Sequence, residues 1–291
     1  MKNWIIDKFK IQTYNVGIIN KKFDLVMEED ISSKDIVWLK KKKNDRFYAD
    51  PFLWDEDEEN YYILAEEYFF WEEKGKIVLL TVKKQGFVLQ NEKIVIDEPY
   101  HLSFPYCDYK GDYIMPESSK GDGTYKYYID NECNVVRKER ISDEKIIDGI
   151  LYNNGGILLG STKDEPQSQL KRWNLLEGKY KYEGLVENNL AIARNAGKIF
   201  EVNERKYRPA QNCCNRYGEC ISVMIIQNDY DIEEDLVCEI RNPSNMYNET
   251  MHTFNVYDDF IIIDGSKDYF RFPMKIIYKM MSRLRKWLYK I

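Results

Sequence analysis

The sequence predicts an all-β fold, a five-bladed β-propeller followed by a C-terminal basic amphipathic helix. Three observations support this prediction. A hairpin unit recurs five times along the chain. Aromatic residues, which are enriched in strands, make up 14% of the composition. Helical periodicity of apolar residues is scarce before the last segment of the chain.

The recurring unit is an apolar strand, a turn rich in Asp, Asn or Gly, and a second apolar strand. The copies lie at residues 50–66, 104–115, 149–160, 192–202 and 254–265. They begin about 45 to 60 residues apart, and such a hairpin cannot bury both of its faces alone, so the copies must stack as propeller blades do. A β-sandwich with similar hairpins is the alternative. Residues 1–45 are expected to supply the entry strand and to close the ring.

The last segment differs from the body in charge. Residues 271–291 contain seven basic and no acidic residues, whereas the whole chain has a net charge of −6, so the body is strongly acidic. We therefore divide the chain into a propeller over residues 1–270 and a tail over residues 271–291. An acidic body is a poor partner for nucleic acid, and none is expected.

The tail shows the spacing of an amphipathic helix that begins near Pro273. The basic stripe comprises Lys275, Lys279, Arg283, Lys286 and Lys290. The apolar stripe comprises Ile276, Ile277, Met280, Met281, Leu284, Trp287, Leu288 and Ile291. Such a helix is typical of segments that lie on anionic lipid, so we expect residues 274–291 to hold the protein on a membrane surface. Docking on the propeller itself, or on a partner protein, remains open.

Composition also limits location and chemistry. Two His and six Cys without metal-ligand spacing make a zinc site improbable, and no metal site is predicted. Charge interrupts the first residues, so no signal peptide is expected, and reduced thiols are the default. No apolar run is long enough to span a bilayer. These features favour a cytoplasmic protein that lies peripherally on the inner face of the cell membrane.

Four stretches are unusual for plain strand. They lie at residues 47–52, 113–119, 207–213 and 251–255. In the first two, an acidic residue adjoins a proline, as in Asp50-Pro51 and Pro116-Glu117, and proline cannot donate to a strand ladder. An Asp at the start of a blade's inner strand is expected to point towards the central channel.

These stretches carry a resemblance to a known family. Residues 49–52, 98–105, 116–118, 208–211 and 252–253 resemble, in order and spacing, the propeller domain at the N-terminus of plant glucosamine inositolphosphorylceramide transferases. Bacterial relatives of that domain occur alone or fused to sugar formyltransferase domains. The resemblance covers nearly the whole chain except the tail. It implies a glycan-related role and a likeness to the five-bladed arabinanase and invertase superfamily.

The resemblance also implies roles for individual residues. Asp50 matches the first-blade Asp that acts as base or nucleophile in arabinanase-like enzymes, and Asp148 matches an Asp that tunes a pKa. Residues 193–197 lack the fourth-blade Glu that serves as general acid there. Asn212 stands where relatives have Asp. The missing Glu argues against simple glycoside hydrolysis.

The candidate site follows from both lines of reasoning. Catalysis is assigned to Asp50, Glu117 and His252, because glycosyl transfer needs charge stabilisation and a proton acceptor. Substrate contacts are assigned to a larger set, in which the arginines suit a diphosphate or an acidic sugar. This set comprises His101, Asp148, Arg194, Arg208, Gln211 and Asn212.

The leading hypothesis is a glycosyltransferase of surface-polysaccharide or glycolipid assembly. It would move a sugar from a nucleotide-sugar donor to a membrane-linked glycan acceptor, without a further cofactor that the sequence can name. A non-catalytic glycan-binding propeller that works beside a separate transferase is the second hypothesis. An arabinanase-like glycoside hydrolase or phosphorylase is the third.

Overall fold

The computed structural model describes residues 10–41, 45–228 and 232–270, together with Met280 and Arg283. These residues form five antiparallel sheets, each running from an inner strand to an outer strand. The sheets follow one another around a central channel, and the predicted five-bladed propeller is confirmed.

The strands are numbered in chain order. Blade 1 contains β3 (Arg46–Glu56), β4 (Asn60–Phe69), β5 (Lys74–Lys83) and β6 (Val88–Ile96). Blade 2 contains β7 (Ser103–Tyr106), β8 (Tyr113–Glu117), β9 (Thr124–Ile129) and β10 (Val135–Ser142). Blade 3 contains β11 (Ile147–Tyr152), β12 (Ile157–Ser161), β13 (Gln169–Leu176) and β14 (Lys179–Asn188). Blade 4 contains β15 (Arg194–Asn195), β16 (Phe200–Val202), β17 (Arg205–Asn212), β18 (Cys220–Asn228) and β19 (Glu233–Ile240). Blade 5 contains β20 (Phe254–Val256), β21 (Ile261–Phe270), β1 (Lys10–Ile19) and β2 (Ile36–Trp38).

Both ends of the propeller sequence contribute to blade 5. Strand β1 pairs with β21 over ten residues, with Tyr14 opposite Ser266. A short helix, α1 (Phe23–Glu28), connects β1 to β2 and buries Phe23 and Val26 against blades 4 and 5. The expected ring closure by the first 45 residues is therefore confirmed for the described part of that segment.

Burial explains why the inner hairpins were visible in the sequence. In blade 3, every residue of β11 and β12 is buried, because both faces of these strands pack against neighbouring blades. Most residues of the outer strands β14 and β19 are exposed or partly exposed. The apolar core lies between successive blades, with Trp173 and Phe52 among its largest fully buried side chains. The six cysteines are all free thiols.

The fourth predicted hairpin is wrong in detail. The turn expected at Asn195-Ala196-Gly197 does not reverse the chain, because β15 and β16 both pair with β17 and form one interrupted inner strand. Gly197 serves a different purpose there. A Cβ on Gly197 would lie 2.4 Å from the carbonyl oxygen of Phe254, so glycine permits the close approach of blade 5.

The predicted tail helix over residues 274–291 lies outside the described residues except for Met280 and Arg283, so the helix and its membrane contact stay predictions. Among the described residues, no helix combines the length and apolar character that a bilayer span requires.

Candidate functional site

A cavity of about 250 Å³ opens at the end of the central channel where the inner strands begin. We call it the channel pocket. It is lined by Tyr14, Phe47, Ala49, Asp50, Glu66, Tyr68, His101, Ser103, Glu117, Asp148, Arg194, Tyr217 and His252. All five blades, together with the loops that follow β17 and β19, therefore contribute to its wall.

The same backbone distortion occurs near the beginning of three of the inner strands. Asp50, Phe104 and Asp148 have φ values of 50°, 44° and 46°, the left-handed region that costs energy for residues with a side chain. At each of them the register with the second strand shifts, as in a β-bulge. The bulge turns the backbone N–H of each residue towards a carboxylate of the neighbouring blade.

Three carboxylates accept these N–H groups across the blade boundaries. Asp264 Oδ2 accepts from Asp50 N at 3.1 Å, Asp50 Oδ2 accepts from Phe104 N at 3.1 Å, and Glu117 Oε2 accepts from Asp148 N at 2.8 Å. The blades are thus joined in the order 5 to 1, 1 to 2 and 2 to 3. We call these contacts the carboxylate clamps.

Asp50, His252 and Asp264 form a buried group at one side of the pocket. His252 Nδ1 lies 2.6 Å from Asp264 Oδ2, and His252 Nε2 lies 3.6 Å from Asp50 Oδ1. Burial alone would lower the pKa of His252, but Asp264 and Asp50 raise it to about 9. Burial raises the pKa of Asp50, with His252 opposing that shift. His252 is therefore an imidazolium at neutral pH.

Within the described ranges, this trio is the group whose residue types could hold a metal ion, with one ligand atom from each lying within 4.8 Å of the others. The oxygens are already occupied, however. Asp264 Oδ1 accepts from the backbone N–H of His252 and of Thr253, and Thr253 Oγ1 lies 3.0 Å from Asp50 Oδ1. The arrangement suits an ion-paired histidine better than a cation bound between the three.

Asp148 and Arg194 form a second ion pair in the wall of the pocket. Arg194 Nε donates to Asp148 Oδ2, to which Gln211 Nε2 also donates at 3.1 Å. Burial raises the pKa of Asp148, and Arg194 opposes that shift. Arg194 also lies over the ring of Tyr217, with 4.8 Å between guanidinium carbon and ring centroid. Because Arg194 lines the pocket, its guanidinium would contact a ligand bound there.

Glu66 differs from the other pocket carboxylates because no hydrogen bond from a described residue holds it. His101 Nε2 lies 3.6 Å from Glu66 Oε1, and His101 Nδ1 accepts the N–H of Gly75 at 2.8 Å, which leaves the proton of the neutral ring on Nε2. Burial, and then the charges of Asp50 and Glu117, raise the pKa of Glu66 well above its ordinary value. Glu66 is therefore the pocket carboxyl group best placed to accept a proton from a bound ligand, because no described residue holds it by a hydrogen bond and its pKa is raised.

Six of the nine residues predicted from the sequence line this one pocket. They are Asp50, His101, Glu117, Asp148, Arg194 and His252. Gln211 lies directly behind it, bonded to Asp148.

Arg208 and Asn212 do not reach the pocket. Arg208 is 0% exposed and is bound to both oxygens of Glu234, to Asn195 Oδ1 and to the Ile192 carbonyl, so the predicted phosphate clamp is instead a structural group inside blade 4. Asn212 donates to Glu239 and accepts the N–H of Cys214, which fixes the end of β17. Neither side chain is available to substrate.

Sequence reasoning did not identify Asp264, Tyr14 or Tyr217, and it left Glu66 open between the channel and a solvated strand edge. Tyr14 stacks on His252 with 4.7 Å between ring centroids, and Tyr217 meets the same ring edge-on at 5.3 Å. Gly75 is a mark of this part of the site in the sequence, because a residue with a Cβ would not fit there. A Cβ on Gly75 would lie 2.6 Å from Glu66 Oε1. That glycine keeps space for Glu66 and His101.

Residues 39–258 match the family described as glucosamine inositolphosphorylceramide transferase 1, N-terminal. The chain belongs to this family. It is 28% identical over 196 residues to glucosamine inositolphosphorylceramide transferase 1 of Arabidopsis thaliana and 26% identical to that of Oryza sativa subsp. japonica. Each comparison covers 62% of this chain and 26% of the relative, so the chain spans about a quarter of the length of these relatives.

Two solved structures of similar shape have low sequence identity to this chain. A GH43 β-xylosidase/α-arabinofuranosidase from a compost microbial metagenome is 13% identical, with 81% of this chain and 86% of that chain covered and a TM-score of 0.46. TolB from Acinetobacter baumannii is 14% identical, with 86% and 63% covered and a TM-score of 0.43.

Proposed function

We propose that this chain transfers a sugar to a membrane-linked acceptor in glycolipid or surface-glycan assembly, with the donor sugar held in the channel pocket. The family membership supports a glycan role, because the curated relatives are named as transferases that act on a glycolipid. The observation that carries the proposal is Glu66, a buried carboxyl group of raised pKa that faces the cavity without a hydrogen bond from a described residue.

The proposed step uses three side chains. The acceptor hydroxyl oxygen bonds to the anomeric carbon of the donor, and the bond from that carbon to the donor phosphate oxygen breaks. The hydroxyl proton passes to Glu66, whose raised pKa makes its carboxylate a stronger base than an ordinary Glu. The phosphate leaves with the bonding electron pair and is met by Arg194. Asp50 stabilises the positive charge that develops on the sugar ring.

The charge of the pocket sets a limit on the sugar. Asp50, Glu66, Glu117 and Asp148 line a small cavity, and the cations Arg194 and His252 are already paired with Asp148 and Asp264. An acidic sugar would add a further negative charge at low effective dielectric. We therefore expect a neutral sugar, or one that carries an amino group, with the donor diphosphate beside Arg194.

The test is a transfer assay with a panel of nucleotide sugars and a glycolipid acceptor. Glu66→Gln should lower the transfer rate by at least about 100-fold while it leaves the donor Kd within a few-fold, because the base acts on the acceptor. Arg194→Lys should raise the donor Kd. Glu183→Gln, an exposed position in β14, is the matched control and should behave as wild type.

A glycan-binding domain without catalysis is the second candidate, and the carboxylate clamps favour it. Asp50 and Glu117 each use an oxygen to hold the neighbouring blade, as a purely structural carboxylate would. Wild-type protein that binds the glycolipid headgroup but turns over no donor, with or without Mg²⁺ or Mn²⁺, would support this second candidate and contradict the first.

A further inference from the structure

The rim of the channel pocket carries an aromatic turn. Residues 68–71, Tyr68-Phe69-Phe70-Trp71, lie where β4 turns into β5, and Tyr68 itself lines the pocket. All four side chains are partly exposed. Phe47 stacks on Tyr68 with 4.9 Å between ring centroids and meets Phe70 at 5.8 Å. The turn is therefore attached to the pocket wall rather than separate from it.

The aromatic surface continues into the pocket. Tyr14 lies 5.3 Å from Phe47 and 4.7 Å from His252, measured between ring centroids. Rings thus extend without interruption from the turn at residues 68–71 to the ion pair at the base of the pocket. An apolar or amphipathic ligand that enters the pocket would pass along this wall.

A second apolar side chain projects from the same face. Met246 lies in the segment between β19 and β20, and it is 57% exposed. This segment leads directly to His252, and its Thr250 bridges to Ser266 opposite Tyr14. Met246 and the aromatic turn are therefore on the pocket face, at different points around the opening.

The basic tail also leaves from this face. Strand β21 passes Ser266, which pairs with the pocket residue Tyr14, and ends at Phe270 beside the first residue of β1. The seven basic residues of 271–291 follow immediately in the sequence. The apolar side chains and the last described residue before the cationic segment thus lie on one face of the propeller.

We propose that the pocket face is the face that contacts an anionic membrane, with Trp71 and Met246 entering the headgroup region. Tryptophan favours the membrane–water interface because its ring is largely apolar and its N–H remains hydrated. A basic segment adds attraction to anionic lipid. The pocket then opens towards the headgroup of a membrane glycolipid, so this inference rests on the proposed function and specifies how the acceptor reaches Glu66.

The experiment measures binding of the full chain to phosphatidylcholine vesicles with and without phosphatidylserine. Trp71→Ser and Met246→Ser should each weaken binding to the anionic vesicles by roughly three- to tenfold. Leu176→Ser is the matched control, because Leu176 is 54% exposed at the end of β13 on the opposite face, and it should bind as wild type does. Far-ultraviolet circular dichroism checks that each variant is folded.

A second measurement locates Trp71 directly. Lipids brominated near the headgroup should quench the fluorescence of wild-type protein more than that of Trp71→Phe. Wild-type affinity in both surface variants, or equal quenching in the two proteins, would overturn the proposal, as would a wild-type chain that ignores anionic vesicles. Transfer to a soluble acceptor without vesicles tests the catalytic proposal separately, because it does not depend on how the chain meets a membrane.

Discussion

Replacing Arg208 by Met tests whether this residue supports the fold or binds substrate. Its side chain is fully buried, with Nε 2.7 Å and one terminal nitrogen 2.5 Å from the two oxygens of Glu234. The other terminal nitrogen donates to Asn195 Oδ1 at 3.0 Å, and the Ile192 carbonyl accepts a fourth hydrogen bond at 2.8 Å. The guanidinium therefore ties β17 to the outer strand β19 and to the start of the inner strand β15.

The magnitude follows from what the substitution leaves behind. Glu234 is 6% exposed, so Arg208→Met leaves a buried carboxylate without its partner. Breaking a buried ion pair in this way costs about 3–5 kcal/mol of unfolding free energy. For a domain of this size, that corresponds to a fall in melting temperature of roughly 10 °C. Urea unfolding and a thermal melt of the variant both measure the effect.

Two further variants complete the test. Arg241→Met removes an exposed arginine paired with Glu219 and Glu239 and should cost less than about 1 kcal/mol. The double variant Arg208→Met/Glu234→Leu should recover part of the lost stability, since no unpaired charge remains. An Arg208→Met protein of wild-type stability that no longer binds a donor would refute the structural assignment and restore Arg208 as a ligand group.

Three other substitutions have defined outcomes. Asp264→Asn should lower the pKa of His252 from about 9, which an NMR titration measures. In wild type the raised pKa stabilises the fold below the ordinary His pKa of about 6.5, and this stabilisation is lost as pH rises through 9. Urea unfolding of the variant should not show this loss. Glu66→Gln should gain stability relative to wild type as pH rises above the ordinary Glu pKa of about 4.3, because the folded wild type keeps a Glu66 proton that the unfolded chain releases; urea unfolding at a series of pH values measures this gain. Glu177→Gly, at φ 51° in the exposed turn before Gly178, should raise the unfolding free energy by about 0.5–1 kcal/mol, measured in urea.

The propeller was predictable because its inner strands are buried on both faces. Short apolar runs such as residues 150–152 therefore recur in four of the five blades, and an ordinary hydrophobic pattern identifies them. The inner strand of blade 4 escaped this reasoning. Asn195-Ala196-Gly197 has the composition of a turn, but Gly197 is required for contact with Phe254 of the next blade, and composition alone does not distinguish the two uses of glycine.

Two of the pocket carboxylates were predictable from the residues beside them, and the other correct site residues came from the family resemblance. Asp50 was singled out by the proline that follows it, and Glu117 by the one before it. Glu66 and Glu67 carry no such mark, and adjacent strand residues point to opposite sides. Both prove to be buried, but Glu67 pairs with Arg46 and Glu66 faces the pocket. Sequence alone cannot say which of two neighbouring glutamates faces the channel.

The carboxylate clamps change how substitutions in the pocket should be interpreted. Asp50→Asn and Glu117→Gln each retain an acceptor oxygen, but the new amide nitrogen can no longer accept the N–H of Phe104 or Asp148 if it takes that oxygen's place. A loss of activity in either variant would therefore combine chemistry with a disturbed boundary between blades. Glu66 makes no clamp, because no described N–H donates to it. Its substitution separates proton transfer from blade packing, so the test of a catalytic role for this propeller depends on Glu66 more than on Asp50.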